Sequence, residues 1–231
     1  FSDVNIQGQV NGTLAKRSPG STLKPFIYAL AIDAGLIHPL TLLKDLPKRY
    51  SAFTPENFGK GFVGPISASE ALIRSRNVPA VELQSRLSQQ QESKASHSIA
   101  NSNVFTLYQM LQAANVSQLR SEDFYGLALA LGGVELSMLE LVSLYAAISN
   151  EGLYKSIDLS GVSVNWVRGP ESEKRLFSAE SAYLIRQMLS QNTRPDNQLP
   201  SYAMANARSE LDAIAWKTGT SWAFRDAWAI G

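Results

Sequence analysis

Pro25 constrains the fold of this chain more than any other residue, because it fixes where the first long helix begins. A proline ring is tolerated in the first turn of an α-helix and clashes with the backbone anywhere later. Apolar residues then recur on one helical face until Gly35, which can end the helix. We therefore predict a helix over residues 22–34, with Ser21 at its start.

This helix start carries a serine and a lysine three residues apart, Ser21 and Lys24. Residues at this spacing share a helix face, so the Lys24 amine can reach the Ser21 hydroxyl. A serine is an effective nucleophile only when a base removes its proton, and a lysine is a base only when burial or a neighbouring cation keeps it neutral. Amides at the helix N-terminus favour a developing oxyanion. The pair predicts a nucleophilic serine with a lysine base.

A second serine lies where a helix has to break. Ser67 and Glu70 predict a capping box that opens a short helix, and Pro79 disfavours helical conformation at the residue before it, so that a second helix restarts at Pro79. Ser75 and Asn77 lie in the turn between the two helices. Their side chains can project into a cleft, where a hydroxyl can relay a proton and an amide can hold a carbonyl.

The Ser-x-Asn spacing is not unique to this turn. It recurs at Ser163, in a strand-like run, and at Ser190, at a predicted helix end. Only Ser75 has the helix–turn–helix setting. On spacing alone, all three remain candidates.

Strand patterns appear near the end of the chain. The apolar runs at residues 212–216 and 227–230 predict two strands, joined by a turn around residues 223–225. Residues 217–221, Lys-Thr-Gly-Thr-Ser, follow the first run directly.

Alternate residues of a strand share a face. Lys217 and Gly219 are therefore predicted on one face, with Thr218 and Thr220 on the other. A lysine beside threonine hydroxyls can bind a carboxylate, and Gly219 lacks a side chain where a ligand backbone could approach. The segment also fits an ordinary strand end.

The remaining patterns are mostly helical. Ser137 predicts a second capping box, residues 39–64 and 88–103 are predicted loops, and residues 1–12 are strand-like. Many helices with few strands indicate an α+β domain, in which a sheet packs against a helical lobe. The helix after Ser137 is predicted to point five residues inward: Leu141, Val142, Leu144, Tyr145 and Ile148.

Composition excludes several kinds of site. The 231 residues include no cysteine, which excludes disulfides, thiolate metal ligands and a cysteine nucleophile. Two histidines, His38 in a predicted turn and His97 in a polar stretch, cannot form a histidine-rich metal site and are poor candidates for a catalytic base. A net charge of +1 without a long basic run indicates no nucleic-acid or membrane-surface partner.

The three motifs together are more specific than any one of them. The order S-x-x-K, S-x-N, K-T-G is the set found in penicillin-binding proteins and class A β-lactamases. Residues 17–26, 131–133 and 216–221 resemble class A, bifunctional penicillin-binding proteins. Residues 35–39 and 77–81 are most similar to the type 1C subgroup.

The resemblance implies roles for the motif residues. Ser21 would be the acylated nucleophile and Lys24 its base, and Ser75 and Asn77 would relay protons and position substrate. The amides of Ser21 and Thr220 would form the oxyanion hole. The third motif would bind the carboxylate of the donor peptide or a β-lactam, through Lys217, Thr218 and Thr220.

The resemblance also implies a reaction and a setting. The reaction would be attack on a D-Ala-D-Ala bond and acyl transfer to an amine of a neighbouring peptidoglycan stem peptide, with no metal or organic cofactor. The fold would be an antiparallel β-sheet flanked by helices plus an all-helical lobe. The location would be the periplasmic face of the bacterial inner membrane, with other cell-wall synthesis proteins as partners.

A full member of the family would carry a membrane anchor and a glycosyltransferase domain upstream. We therefore interpret residues 1–231 as a fragment of one transpeptidase domain. The fragment is expected to lack the sheet strands that come before residue 1 and after residue 231 in the family. An incomplete sheet leaves unpaired strand edges.

Three other functions remain open. A serine β-lactamase would share the acylation step, but the 142 positions from Ser75 to Lys217 resemble the longer spacing of penicillin-binding proteins. Glu122 and Glu151 are the nearest candidates for its deacylating glutamate, and both are predicted at the surface. A β-lactam sensor would be acylated without transferring peptide, and a D,D-carboxypeptidase would use water as the acceptor.

Overall fold

The computed structural model describes residues 11–51, 53–96, 105–158, 165–166, 173–192 and 214–231. The α-helices are α1 (Lys24–Asp33), α2 (Ala68–Ile73), α3 (Asn77–Ser96), α4 (Leu107–Ala113), α5 (Glu122–Tyr125), α6 (Met138–Ser149) and α7 (Ala179–Ser190). The strands are β1 (Leu42–Asp45), β2 (Gly64–Ser67), β3 (Leu153–Lys155), β4 (Ile157–Asp158), β5 (Asn165–Trp166), β6 (Glu173–Arg175), β7 (Lys217–Thr220) and β8 (Ala227–Ile230).

Helix α1 is the centre of the core. Its residues from Lys24 to Ala31 are buried on every side, because α3 and α7 pack against it. Phe26 contacts Tyr145 of α6 edge to face, with ring centroids 5.4 Å apart. A helix buried all round holds its side chains in fixed positions, so α1 is a rigid support for the residues at its N-terminus.

Within the described residues, the strands pair antiparallel in four two-stranded ribbons: β1 with β2, β3 with β6, β4 with β5, and β7 with β8. In the last ribbon Lys217 lies opposite Ile230 and Thr220 opposite Ala227. This ribbon packs against the 3₁₀ turn Gly20–Leu23. The arrangement of helices and small antiparallel ribbons confirms the predicted α+β class.

Some predicted boundaries were wrong. Strand β7 begins at Lys217 rather than at residue 212, and residues 214–216 are not in a strand. The predicted loop over residues 39–64 contains β1, which pairs with β2. The composition of this region hid a strand, because Pro and Gly around it also favour turns. The strand-like residues 1–10 and the start of the 212–216 run lie outside the described residues.

The polar segment over residues 88–103 was also predicted incorrectly. Helix α3 continues through it to Ser96, since Gln, Glu and Lys are good helix formers where one side of a helix faces solvent. Residues 97–103 lie outside the described part of the chain. In α6, Val142 is 43% exposed instead of buried. Successive residues of a helix are rotated by about 100° around its axis, so Val142 points away from the face that carries Leu141 and Leu144.

Three glycines allow close approach of the segments around Ser21. A Cβ atom on Gly20 would lie 2.5 Å from the carbonyl oxygen of Thr220, and one on Gly219 would lie 2.3 Å from that of Pro19. A Cβ atom on Gly132 would lie 2.4 Å from the amide nitrogen of Gly20. The backbone itself therefore forms the contacts between β7, the turn and the loop before α6.

We expect Gly132→Ala to destabilise the domain by roughly 2–4 kcal/mol, because the methyl group would overlap the Gly20 backbone and Gly132 has a φ of +87°. Thermal or urea unfolding measures the change. Gly12→Ala is the control, since its Cβ atom would meet nothing within 4 Å. Equal stability of the two variants would contradict the close packing.

Among the described residues, no helix has the length and apolarity needed to cross a membrane.

Candidate active site

Ser21 lies in a 3₁₀ turn, Gly20–Leu23, that leads directly into α1. A 3₁₀ turn has three residues per turn, so residues i and i+3 are stacked along it. Ser21 is therefore placed above Lys24, the first residue of α1. Pro25 stands in the first helical turn, as predicted.

Polar side chains outside the three motifs hold this turn in place. The Trp228 indole donates to the carbonyl oxygen of Ser18 at 3.0 Å, and the Tyr145 hydroxyl donates to that of Thr22 at 2.8 Å. Ser18 in turn donates to the carbonyl oxygen of Gly132 at 2.7 Å. A buried tyrosine or tryptophan needs a partner for its polar atom, and this requirement is the only sequence clue to these contacts.

The Lys24 amine joins the first two motifs. Its side chain is buried, and Nζ donates to the carbonyl oxygen of Ser75 at 2.7 Å and to Oδ1 of Asn77 at 2.5 Å. The Ser75 hydroxyl lies 3.4 Å away. Among the described residues, no hydrogen bond joins Lys24 Nζ to the Ser21 hydroxyl. Ser75 and Asn77 therefore set the position of the amine.

Burial is the main reason that the pKa of Lys24 is well below its usual value. The positive charges of Lys217 and Arg76 lower this pKa further, while the negative charge of Asp45 raises it. Lys24 therefore meets both conditions that the sequence analysis set for a neutral lysine, burial and a cationic neighbour.

The turn that carries Ser75 is the predicted helix break. The amide of Ser75 donates to the carbonyl oxygen of Leu72 and that of Arg76 to the carbonyl oxygen of Ala71, which ends α2. Ser75 has a φ of +56°, an uncommon conformation for a residue with a side chain. Helix α3 begins at Asn77, two residues before the predicted restart.

The third motif forms β7. Lys217 and Gly219 are buried and Thr218 and Thr220 are exposed, as the alternation predicted. The Lys217 amine donates to the carbonyl oxygen of Thr218 at 2.9 Å, and burial lowers the pKa of Lys217 to about 8. Gly219 packs on the turn that carries Ser21, and the charge of Lys217 lowers the pKa of Lys24. Because the Lys24 amine also binds Ser75, all three motifs meet in one place.

The competing candidates do not join this group. Ser190 ends α7 and donates to the carbonyl oxygen of Gln187, whereas Ser163 and His97 lie outside the described residues. Glu122 and Glu151 are exposed. The described part of the chain contains no group of three or more acidic or histidine residues that could hold a metal ion.

Comparison with known proteins identifies the family. The penicillin binding protein transpeptidase domain family matches residues 6–227.

The chain belongs to the penicillin-binding protein transpeptidase family.

Two curated relatives match this transpeptidase domain over nearly all of its length. Penicillin-binding protein 1C of Escherichia coli is 37% identical over 100% of the chain, and penicillin-binding protein 1F of Bacillus subtilis is 29% identical over 96% of it. The chain covers only 26% and 29% of those proteins. The type 1C resemblance is thereby confirmed.

Solved structures share the transpeptidase fold. Penicillin-binding protein 1A of Haemophilus influenzae matches with a TM-score of 0.66 and 22% identity, covering 96% of this chain and 37% of that one. Penicillin binding protein 3 of Mycobacterium tuberculosis, in complex with aztreonam, matches with a TM-score of 0.66 and 21% identity, covering 95% of this chain and 52% of that one.

Proposed function

We propose that this domain is a serine D,D-transpeptidase that crosslinks peptidoglycan stem peptides and is acylated by β-lactams. Ser21 is the nucleophile and Lys24 the base. The observation that carries the proposal is the Lys24 amine of the S-x-x-K motif, which is buried, has a lowered pKa, and is hydrogen-bonded to both Ser75 and Asn77 of the S-x-N motif.

In the acylation step, the Ser21 oxygen attacks the carbonyl carbon between the two D-alanines as Lys24 takes the hydroxyl proton. The backbone amides of Ser21 and Thr220 stabilise the oxyanion that forms. Ser75 passes a proton to the leaving nitrogen, and the terminal D-alanine departs. Because Ser75 lies 3.4 Å from the Lys24 amine, a proton has a short path between them.

In the second step, an amine of a neighbouring stem peptide attacks the acyl-enzyme. The amine loses a proton to the Lys24–Ser75 pair, the new amide bond forms, and Ser21 is released with its proton restored. Asn77 holds the peptide carbonyl. Thr218, Thr220 and the Lys217 charge hold the donor carboxylate during the first step. Gly219 does not leave space for the donor backbone as predicted, because Pro19 and Thr22 occupy its side-chain position; it lets β7 pack against the turn that carries Ser21.

A donor peptide that ends in D-Ala-D-Ala, mixed with an amine acceptor and the full-length protein, tests the proposal. We expect release of one D-alanine for each crosslinked product, measured by mass spectrometry. Hydrolysed peptide alone would indicate a carboxypeptidase. Acylation without either product would indicate a β-lactam sensor, and rapid turnover of a β-lactam would indicate a β-lactamase.

We expect Lys217→Met to weaken β-lactam acylation about 10- to 100-fold, because the variant loses a charge-assisted contact with the ligand carboxylate. Since the pKa of Lys217 is about 8, wild-type acylation should also decline as pH rises through 8 and this charge is lost. At a pH where Lys24 is neutral, the loss should appear in ligand binding rather than in the acylation step at saturation. A change confined to deacylation would contradict this role.

The proposed setting follows the family. We place the domain on the periplasmic face of the bacterial inner membrane, where its stem-peptide substrates and other cell-wall synthesis proteins would be its partners. Fractionation of cells that carry the full-length protein, with protease access to intact spheroplasts as the readout, tests this location.

A further inference from the structure

A buried carboxylate lies behind the turn that carries Ser75. Asp45, at the end of β1, is fully buried. Its Oδ2 accepts from Arg76 Nε at 2.7 Å and lies 2.6 Å from Arg76 Nη2, an ion pair with two contacts. Oδ1 accepts from the Asn57 amide group at 2.8 Å, and the amide of Val63 donates to Oδ2 at 3.1 Å.

The partners of Asp45 are hydrogen-bonded to the main chain that follows Ser75 and to the loop at Gly61. Asn57 Oδ1 accepts from the main-chain amide of Asn77 at 2.8 Å, and Asn57 Nδ2 also donates to the carbonyl oxygen of Gly61. Arg76 donates to the same carbonyl oxygen. Asp45 is therefore connected directly to Arg76, and through Asn57 to Asn77, the two residues that follow Ser75.

Stability alone is a weak explanation for this pair. Removing two charges from water costs several kcal/mol for each ion, and well-packed apolar residues often replace such a pair without loss. The turn also holds Ser75 at a φ of +56°, which costs free energy and persists only where the surroundings impose it. A buried ion pair that imposes one backbone conformation is expected where that conformation serves a function.

We propose that Asp45 is a positioning residue for acylation: through Arg76 and Asn57 it fixes the Ser75–Asn77 turn against the Lys24 amine. The inference rests on the proposed function, since it assigns this network to the same reaction. The contacts that it maintains are those of Lys24 Nζ with the Ser75 carbonyl oxygen and with Asn77 Oδ1.

Asp45 also contributes charge near the amine. Three charged groups act on Lys24: Lys217 from β7 and Arg76 from the turn lower its pKa, and Asp45 from β1 raises it. Neutralising Asp45 leaves two cations without their counter-charge. The pKa of Lys24 then falls further, and the neutral amine is present from a lower pH.

The test compares Asp45→Asn with wild type in the full-length protein, by the rate of acylation with a fluorescent penicillin across pH. We expect the plateau rate to fall about 100-fold, as a misplaced catalytic group can cost this much. We also expect the acidic limb of the pH profile to move to lower pH.

Glu140→Gln is the matched control. Glu140 is a second largely buried carboxylate that pairs with a cation, Lys16 at 2.6 Å, and accepts main-chain amides. The hydrogen-bond and ion-pair partners of its carboxylate are Lys16, Ser117 and Ser137, and none of them belongs to the Ser75 turn. This variant should lose thermal stability but keep the wild-type plateau rate and pH profile. If both variants lost rate in proportion to their stability, or if Asp45→Asn acylated within twofold of wild type, the proposal would be overturned.

The test still decides the question if Asp45→Asn does not fold or if wild type is not acylated. If Asp45→Asn does not fold, Arg76→Lys takes its place, since it keeps the charge and removes one of the two contacts with Asp45. A wild-type rate in that variant contradicts the proposal. Failure of wild type itself to be acylated would instead overturn the proposed function, so the two failures are distinguishable.

Discussion

Ser21→Ala is expected to abolish covalent labelling by benzylpenicillin. The variant removes the oxygen that attacks the lactam carbonyl, and no other serine in the described residues lies in the turn stacked on the buried Lys24 amine. Intact-mass spectrometry should show one acyl adduct on wild type and none on the variant. Loss of one hydroxyl at a half-buried position should leave folding intact.

Ser190→Ala is the matched control for this experiment. Ser190 begins a second Ser-x-Asn pattern, but its hydroxyl is bound to the carbonyl oxygen of Gln187 at the end of α7. This variant should be labelled at the wild-type rate. Labelling of Ser21→Ala at the wild-type rate would show that another residue is the nucleophile.

Lys24→Met is expected to slow acylation about 1000-fold, because a positioned general base contributes about 10²- to 10⁴-fold. Methionine matches the length of lysine but cannot donate to the Ser75 carbonyl oxygen and Asn77 Oδ1, so the variant should fold with a lower unfolding temperature. The measurement is the second-order rate constant for acylation, with unfolding temperature recorded in parallel. Lys16→Met, which removes a largely buried lysine that pairs with Glu140, is the control and should acylate normally.

The pH dependence separates a base from a structural lysine. Only neutral Lys24 accepts the Ser21 proton, so the wild-type rate rises as pH increases through the pKa of Lys24. Since that pKa is well below its usual value, the acidic limb should be complete well below pH 10. Lys24→Met should lose this acidic limb. If the acidic limb of the pH profile persisted unchanged in Lys24→Met, the group that titrates would be a residue other than Lys24.

The motifs and their local structure could be predicted from the sequence because short-range rules determine them. Pro25 placed the start of α1, and Ser67 does accept from the amide of Glu70, as a capping serine should. Period-two alternation placed Lys217 and Gly219 on one face of β7. Each of these depends on residues within a few positions of one another.

The network behind the site could not be predicted, because long-range contacts build it. Asp45 and Arg76 are 31 positions apart, and Trp228 and Ser18 are 210 apart. Nothing local distinguishes Asp45 from a surface aspartate, and its position in a predicted loop favoured exposure. Only the packing of β1 behind the turn shows that its carboxylate is buried.

The most direct test of this account is intact-mass spectrometry of the full-length protein after incubation with benzylpenicillin, followed by peptide mapping. We expect a single, long-lived adduct of the intact penicillin mass on Ser21. A folded protein with no adduct, or an adduct that maps to another residue, would contradict it.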